Sequence, residues 1–350
     1  MTDNALCNAL ARRNSARPPV WFMRQAGRYH RHYQRLRQDY DFVSLCKVPK
    51  LATEVTLGPM RDFNFDAAIL FSDLLFPLEA MGMGLQYTPG PTLDRRLDTL
   101  AAVDALASGP QLAAQLQFQA DAVSLIRRAL PMEKGLIGFA GGPWTLFVYG
   151  TDGSHQGELS SARRGLTDGR YERFCERLTD LLAACLAQQA QAGADAVAIF
   201  DTAAGELSAE EFATHIVPPL RAVLAGFRAR APATPVIYYS KNTTADHWRH
   251  LEGLDVQCLG VDWHHDLAEV LERFGDRFAV QGNVDPEWLL LPQAQLEARL
   301  RPWLERIARL PARRRLGWVC GLGHGVLQRT PEDNVRRFLQ LQREIFDERS

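Results

Sequence analysis

"YERFCERLTDLLAACLAQQAQAGADAVAIF", residues 171–200, places an amphipathic stretch directly before a short apolar run. In residues 171–193 the apolar side chains recur at spacings of three and four, which indicates a helix, and Gly193 is a suitable stop. The run AVAIF (196–200) shows no polar alternation, which is typical of a strand buried on both faces of a parallel sheet. The stretch therefore predicts one helix–strand unit of an α/β fold.

The same alternation recurs along the chain, and it predicts seven further strands. These are PVWFM (19–23), AAILF (67–71), GLIGFAG (135–141), PVIYYS (235–240), CLGVDW (258–263), FAVQG (278–282) and GWVCGL (317–322). Eight strands alternating with helices predict a single (β/α)8 TIM barrel, with residues 1–350 as one domain. A doubly wound sheet is the rival architecture, but no glycine-rich GxGxxG follows the first strand.

Two more helices can be placed with their ends. Residues 210–230 predict a helix that Pro218 and Pro219 should kink, because proline lacks the amide hydrogen that a helix interior uses. Residues 331–348 predict a closing helix with Thr330 as its N-cap. The segment 82–110, rich in Gly, Pro and Asp, is expected to be a long excursion between the second and third strands.

Composition limits the possible partners and the cellular compartment. The 350 residues include 40 Lys and Arg against 41 Asp and Glu, so the net charge of −1 gives no long-range attraction for nucleic acid. No apolar run is long enough to span a bilayer, and the N-terminus lacks a signal-peptide core, which predicts a cytoplasmic protein. The six scattered cysteines form no CxxC pair, so neither disulfides nor structural zinc are expected.

Polar residues follow nearly every predicted strand, where a barrel builds its active site. The residues read at the strand ends are Arg24, Ser72-Asp73, Gly142-Pro143-Trp144, Asp201-Thr202, Lys241, Asp262-Trp263, Asn283-Asp285 and Gly323-His324-Gly325. Each has a structural alternative. Arg24 and Arg28 would also suit a solvated helix face, and Asp73 would suit a helix N-cap. Capping or structural pairing is favoured over catalysis for Asp201 and Asp262, Tyr149 would suit packing, and His324 would suit a bystander loop.

Common catalytic motifs do not fit these strand ends. GLGHG (321–325) lacks the Lys-Ser/Thr of a phosphate loop, no HxC or HExxH supplies metal ligands, and no GxSxG is present. What remains is a barrel mouth with several arginines, an aspartate, a tyrosine, a hydroxyl and a histidine. Arginine forks match carboxylates in a bidentate manner, so this set predicts a substrate with several carboxylates, processed without a metal, nucleotide or covalent nucleophile.

Several segments together resemble the uroporphyrinogen decarboxylase family from end to end. They are PVWFMRQAGRY (19–29), AAILFSDLL (67–75), GFAGGPWTL (138–146), IFDTAAGELS (199–208), GVDW (260–263), QGNVDP (281–286) and GLGHGV (321–326). The resemblance implies a single (β/α)8 barrel, usually a homodimer, that acts in heme biosynthesis. It also implies the conversion of uroporphyrinogen III to coproporphyrinogen III, by removal of four acetate carboxyls as CO2 without cofactor or metal.

The resemblance also implies roles for particular residues. Arg24 and Arg28 match two substrate-binding arginines, and Arg37 matches a further arginine of the same early segment. Asp73 matches the aspartate that accepts hydrogen bonds from the pyrrole N–H groups, and Tyr149 matches an active-site tyrosine. Thr202 and His324 match further substrate contacts. Among these, Asp73, Arg24 and Tyr149 are the expected catalytic residues, with Arg24 as the candidate proton donor.

The chain departs from the family pattern at Arg31, Ala203, Asn242 and Gly321, which leaves room for a specialised paralogue. One alternative is a corrinoid–thiol methyltransferase, which the missing HxC zinc motif disfavours. Another is a tetrapyrrole-binding protein without catalytic activity, which the retention of Asp73 and both arginines disfavours.

Overall fold

The computed structural model describes residues 3–13, 17–87, 90–155 and 157–347. The strands β1 to β9 are Ala67–Ile69, Leu85–Tyr87, Pro91–Leu93, Gly135–Gly141, Ala196–Phe200, Val236–Tyr239, Cys258–Gly260, Ala279–Val284 and Trp318–Leu322. The helices α1 to α17 are Ala5–Leu10, Arg31–Asp39, Phe42–Lys47, Pro49–Phe63, Phe76–Ala80, Leu100–Asp104, Gln117–Ala129, Pro143–Asp152, Ser160–Gly165, Arg170–Gln191, Ala209–Glu211, Val217–Arg228, Ala245–Arg249, Leu267–Phe274, Gln293–Ala308, Ala312–Arg315 and Glu332–Asp347. No helix among these residues is both long enough and apolar enough to cross a membrane.

The main sheet has seven strands in the order β1-β4-β5-β6-β7-β8-β9. Neighbouring strands run parallel where their register is defined, as in the pairing of Val197 with Val236 and of Val280 with Trp318. Helices follow the strands along the chain, because parallel neighbours need a crossover connection. The architecture is of the (β/α)8 TIM-barrel class, as predicted.

The predicted first strand, 19–23, is not a regular strand but a single parallel bridge between Val20 and Cys320 of β9. The Val20 carbonyl also accepts a hydrogen bond from the amide of Asp66, the residue before β1. Pro18 and Pro19 have no amide hydrogen, and the Val20 amide donates to the Asp66 carboxylate at 2.8 Å instead of to a neighbouring strand. These features keep the ladder too short to count as a strand.

By internal contacts the chain divides into two compact units. Unit 1 comprises Met1–Phe71, Leu125–Ile137 and Gln257–Ser350, and unit 2 comprises Ser72–Ser124 and Gly138–Val256. The core of unit 1 includes Phe22, whose ring packs edge-on against Phe65 and Phe338 at centroid distances of 5.0 and 4.9 Å. The core of unit 2 includes a stack on α8 and α10 in which Tyr171 contacts Trp144 edge-on at 5.1 Å. Each unit therefore has an aromatic core of its own.

The helix predictions are largely confirmed. Helix α10 covers 171–191 of the predicted 171–193 and ends two residues before Gly193, whose φ of +114° a helix cannot continue. The predicted helix at 210–230 is interrupted by a π-helical turn, Phe212–Ile216, before the proline pair at the start of α12. Because these prolines have no amide hydrogens, the preceding turn takes the wider π-helical form, while the backbone stays helical from Ala209 to Arg228.

The predicted N-cap of α17 is corrected. The Thr330 hydroxyl is buried and has no hydrogen-bond partner among the described residues, so it does not cap α17 as predicted. The amides of Asn334 and Val335 bond to the carbonyl of Pro331 instead. The excursion at 82–110 has unexpected regularity, because β2 and β3 pair as an antiparallel hairpin.

A buried carboxylate joins β5 to the start of α8. Asp201 is fully buried, and its Oδ1 accepts a hydrogen bond from the Thr145 amide at 2.7 Å. This amide is in the first turn of α8, whose N-cap position is Gly142, a residue without a capping side chain. A Cβ at Gly142 would collide with the Asp201 side chain, so the glycine makes room for a cap supplied from another element. The structural alternative considered for Asp201 is therefore confirmed.

Burial raises the pKa of Asp201 to about 6, although its hydrogen bonds partly oppose the shift. A carboxyl group whose pKa is higher in the folded state favours folding at low pH. That contribution is lost as the pH rises through about 4 to 6. Above this range the folded protein carries a buried charge that the unfolded chain would solvate.

We predict that Asp201→Asn gains stability relative to the parent protein as the pH rises from 4 to 7, by about 3 kcal/mol in total. The amide is neutral throughout and still accepts from the Thr145 amide. Thermal melting of both proteins across this range measures the difference. Asp201→Ala is the control and should be less stable at every pH, because the amide of Thr145 loses its acceptor. A stability difference between parent and Asn variant that does not vary with pH would contradict the prediction.

Candidate active site

The predicted site residues fall into two groups. Arg24, Arg28, Arg37 and His324 are in unit 1. Asp73, Tyr149 and Thr202 are in unit 2. Each group is built by its own local contacts.

The segment that carries Arg24 and Arg28 is a buried turn rather than a helix, since α2 begins only at Arg31. Gln25 fixes this turn from within. It is 1% exposed, its side-chain oxygen accepts from the Phe22 amide at 3.1 Å, and its side-chain nitrogen donates to the Ala67 carbonyl of β1 at 3.1 Å. The helix-face interpretation of the two arginines is therefore wrong. Gln25 is a positioning residue that sequence reasoning overlooked, although it lies inside the RQAGRY motif.

Both arginines are exposed, and neither makes a salt bridge with any described residue. Other arginines of the same region are paired, such as Arg17 with Asp66 at 2.8 Å and Arg31 with Glu332 at 3.9 Å. An exposed pair of unneutralised guanidinium groups is available to bind an anionic ligand.

Arg24 packs against the loop that follows β9. The backbone of Arg24 has φ +62°, in the left-handed region that non-glycine residues seldom adopt. The Val326 amide donates to the Met23 carbonyl at 2.9 Å, and a Cβ at Gly325 would lie 2.5 Å from the Cδ of Arg24. Because Gly325 has no side chain, the side chain of Arg24 can lie close to the backbone of this loop.

His324 lies in the same loop, half-buried between the two glycines. Its ring centroid is 6.5 Å from that of Trp263, which follows β7. A Cβ at Gly323 would lie 2.5 Å from the Trp263 nitrogen, so this glycine is also needed for the close approach. The structure therefore brings Arg24 and His324 onto adjoining loops, as the strand-end rule predicts.

Arg37 is in the last turn of α2, where its guanidinium donates to the Tyr40 carbonyl at 2.7 Å. A cation at this position also complements the negative end of the helix dipole. Its contact with a ligand remains a prediction.

In unit 2, Asp73 is half-buried and accepts a hydrogen bond from the Leu75 amide at 2.8 Å. Leu75 is itself the N-cap residue of α5, so the capping alternative for Asp73 is wrong. The bond is an Asx turn, which fixes the direction of the carboxylate. The neighbouring Ser72 accepts from Gln119 at 2.8 Å, which anchors the segment further.

Thr202 is half-buried in a turn that is tied to the start of α8. The amide of Ala203 donates to the Thr145 hydroxyl at 3.0 Å, and the indole of Trp144 donates to the Ala203 carbonyl at 3.1 Å. Together with the Asp201 bond, these contacts fix the backbone on both sides of Thr202.

Tyr149 is on α8, and its hydroxyl lies 2.7 Å from Nδ1 of His155. The packing interpretation of Tyr149 is therefore incomplete, because its polar end is engaged. His155 was missed at the sequence level. The sequence feature that could have indicated His155 is its place two residues after Gly153. This glycine ends α8 with φ +79° and reverses the direction of the chain.

Asp262 has the structural role that was favoured for it. It is 1% exposed and accepts from the His264 amide at 3.0 Å, while its own carbonyl accepts from the Asn283 side chain at 2.8 Å. Among the described residues, no three His, Cys, Asp or Glu side chains are grouped so that they could hold a metal ion.

Three of the four departures from the pattern of the resembling family, at Gly321, Asn242 and Arg31, have local explanations. A Cβ at Gly321 would lie 2.5 Å from the Trp21 carbonyl, so this backbone arrangement requires glycine. Asn242 has φ +62°, which asparagine tolerates, and donates to Glu206 at 2.8 Å. Ala203 is buried, and the Arg31 amide donates to Glu332 at 2.7 Å.

Two surface cavities are lined by residues of unit 1. One of about 490 Å³ is lined by residues of α4 and α17, including Phe63 and Arg336. The other, of about 160 Å³, is lined by residues that follow β7, including Trp263, and by residues at the end of β8, including Asn283. None of the seven predicted site residues lines either cavity.

Comparison with known proteins identifies relatives along the whole chain. The model of the uroporphyrinogen decarboxylase (URO-D) family matches residues 1–345. The uroporphyrinogen decarboxylase of Pelobacter propionicus is 38% identical over 328 residues, which cover 93% of each chain. That of Roseiflexus sp. is 36% identical over 355 residues, which cover 99% of this chain and 100% of the relative.

Among solved structures, a methyltransferase from Methanosarcina mazei superposes with a TM-score of 0.75 at 18% identity, covering 98% of both chains. At this identity the likeness concerns the fold alone. The family match and the two relatives, in contrast, extend across almost the entire sequence, including the RQAGRY, FSD and LGHG segments. The chain belongs to the uroporphyrinogen decarboxylase family.

Proposed function

We propose that this protein is a carboxy-lyase of heme biosynthesis, which converts uroporphyrinogen III to coproporphyrinogen III and CO2 without metal or cofactor. The observation that carries the proposal is its family membership over residues 1–345, with identities of 35–38% to relatives named uroporphyrinogen decarboxylase. The exposed, unpaired arginines at the first strand position suit a polycarboxylate substrate.

The chemistry needs an electron sink. An acetate on a pyrrole carbon loses CO2 only when the ring can accept the electron pair of the breaking bond. Protonation of the adjacent ring carbon creates an iminium-like cation that does so. A fixed carboxylate close to the pyrrole nitrogens would stabilise this cation more than the neutral ring. Asp73 is the proposed group, and the Leu75 amide holds it in one orientation.

The remaining residues have proposed roles in recognition and proton transfer. Arg24 and Arg28 bind substrate carboxylates, with Arg37, Thr202 and His324 as further contacts. Tyr149 contributes a hydroxyl beside the reacting groups. Arg24 is the candidate proton donor. Because a guanidinium is a weak acid at neutral pH, Arg24 would have to act together with an acidic group to donate the proton.

The methyltransferase alternative is not supported. No cysteine of the chain has a histidine two residues before it, and all six cysteines are buried. The methyltransferase neighbour among solved structures bears on the fold only. We further propose a single domain over residues 1–350, a homodimer and a cytoplasmic location. Sedimentation of the purified protein tests the dimer, and fractionation of the source cells tests the location.

Incubation with reduced uroporphyrinogen III tests the function. After oxidation, the products should carry four fewer carboxyls than the substrate, and activity should persist after exhaustive chelation. Activity that is lost on chelation and returned by zinc would contradict the metal-free chemistry. If no carboxyl were lost from a folded preparation, the decarboxylase proposal would fail and a tetrapyrrole-binding role would become the better explanation.

We predict that Arg24→Ala or Arg28→Ala lowers kcat/KM by about 30-fold or more, because an uncompensated substrate carboxylate costs at least about 2 kcal/mol. Lysine variants should recover only part of the loss, since the bidentate fork is absent. Steady-state kinetics on all four variants measures this. Near-parental values for both alanine variants would place these arginines outside the site.

Gly325→Ala should raise KM about tenfold, because the new Cβ displaces the Arg24 side chain and misplaced binding groups lose their effect steeply. Gly253→Ala is the matched control, since no atom lies within 4 Å of a Cβ built there. The two variants should have similar melting temperatures to the parent protein. An unchanged KM in Gly325→Ala would argue that the approach of Gly325 to Arg24 does not matter for binding.

Asp73→Asn should lower kcat at least about 100-fold while it retains affinity for the coproporphyrinogen product. The amide keeps the size and one acceptor oxygen but has no charge for the developing cation. Asp73→Glu keeps the charge and should keep partial activity, reduced by crowding. Product binding and kcat for both variants, with folding checked by melting, measure the effect. Parental turnover in Asp73→Asn would move the electrostatic centre of the reaction to another residue.

A further inference from the structure

The contact between Tyr149 and His155 has no counterpart in the roles assigned so far. The phenolic oxygen lies 2.7 Å from Nδ1 of the imidazole, and the two ring centroids are 5.6 Å apart at an angle of 53°. Both side chains are half-buried. The distance is that of a well-formed hydrogen bond.

The end of α8 is built to return the chain toward Tyr149. Gly153 adopts φ +79°, and its amide donates to the carbonyls of Tyr149 and Val148 at 3.0 and 3.3 Å. The guanidinium of Arg96 also donates to the Tyr149 carbonyl, at 3.2 Å. A Cβ at Gly153 would collide with this guanidinium, so glycine serves both the left-handed turn and the approach of Arg96. His155 follows two residues later.

The start of α9 is also anchored. Asp152, the last residue of α8, accepts hydrogen bonds from the amides of Ser161 and Ala162 at 3.1 and 2.8 Å. These amides belong to the first turn of α9, so one carboxylate caps that helix and closes the connection between α8 and α9. The position of His155 therefore follows from fixed helix ends on both sides.

A hydrogen bond between a phenol and Nδ1 determines where the phenolic proton points, because only one proton lies between the two atoms. If Nδ1 carries a hydrogen, it donates to the phenolic oxygen, and the phenol directs its own proton elsewhere. If Nδ1 is unprotonated, the phenol donates to the imidazole and offers only lone pairs to a ligand. A substrate carboxylate needs a donor, which the first arrangement supplies.

We propose that His155 is a positioning residue: its Nδ1–H donates to the Tyr149 oxygen, so that the phenolic proton is directed toward a carboxylate side chain of the substrate. This inference rests on the proposed function, in which Tyr149 contacts the substrate. It adds His155, which lies outside the family motifs, to the residues that determine how Tyr149 binds the substrate.

Two variants of nearly equal polarity separate hydrogen bonding from simple space filling. In His155→Asn the amide nitrogen is bonded to Cγ, as Nδ1 is, so it can donate to the phenol. In His155→Gln the amide is one bond further out, near the place of Nε2. We expect the Asn variant to keep kcat/KM within about twofold, and the Gln variant to lose about tenfold, the value of one neutral hydrogen bond.

A double-mutant cycle with Tyr149→Phe completes the kinetic test. In the Phe background, His155→Gln should have no further effect, because the hydroxyl that it orients is gone. Equal losses in the Asn and Gln variants, or effects of His155→Gln and Tyr149→Phe that multiply, would overturn the proposal.

A spectroscopic measurement tests the contact without turnover. In protein labelled with ¹⁵N-histidine, the His155 nitrogens are assigned by their absence in His155→Asn. Tyr149→Phe should then shift the Nδ1 resonance, and an unchanged resonance would overturn the proposal. If the parent protein shows this shift but removes no carboxyl from uroporphyrinogen, the hydrogen bond stands and the proposed function fails, so the two failures are distinguishable.

Discussion

The first part of the barrel depends on the interactions of the Asp66 carboxylate. It accepts the Val20 amide at 2.8 Å and pairs with the Arg17 guanidinium at 2.8 Å, while being only 6% exposed. The segment around Val20 has two prolines before it and cannot build a full ladder. Asp66 substitutes for the missing strand bonds and fixes the start of the turn that carries Arg24. Loss of this carboxylate would leave a buried amide unsatisfied and remove the nearest anionic partner of Arg17, which is far more costly than the loss of an exposed ion pair.

Polar groups at the strand ends divide into two kinds. Gln25, Asp201 and Asp262 are almost fully buried and bind backbone amides or carbonyls, so they hold loops in place. The predicted ligand-binding groups, such as Arg24 and Asp73, are exposed or half-buried at the ends of those fixed loops. This division follows from energetics, because a buried polar group must be satisfied within the protein, whereas a binding group must remain accessible.

The sequence was sufficient to predict the barrel class, because continuous apolar runs and helical spacing are strong signals over this length. It was insufficient where one tertiary contact overrides local chemistry. The run at 19–23 has residue types that suit a strand, but Pro18 and Pro19 have no amide hydrogens to donate to a ladder. Thr330 is a residue type that suits a helix cap, but the amides of Asn334 and Val335 bond to the carbonyl of Pro331 instead. Asp73 could be distinguished from a helix cap only when the start of α5 was known. The contact of His155 with Tyr149 spans a turn whose geometry depends on Arg96, which is distant in sequence.

The nearly neutral chain gives a reason for the local arrangement of arginines. With a net charge of −1, the protein as a whole does not attract a polyanion, and at physiological salt exposed charges act over only about 8 Å. In the proposed function, recognition of carboxylates therefore falls to guanidinium groups without salt bridges that act at short range, such as those of Arg24 and Arg28. Each decarboxylation removes one negative charge from the ligand. The attraction between the arginines and the ligand consequently weakens as the proposed reaction proceeds. The product, which has fewer carboxylates, is therefore released more readily than the substrate.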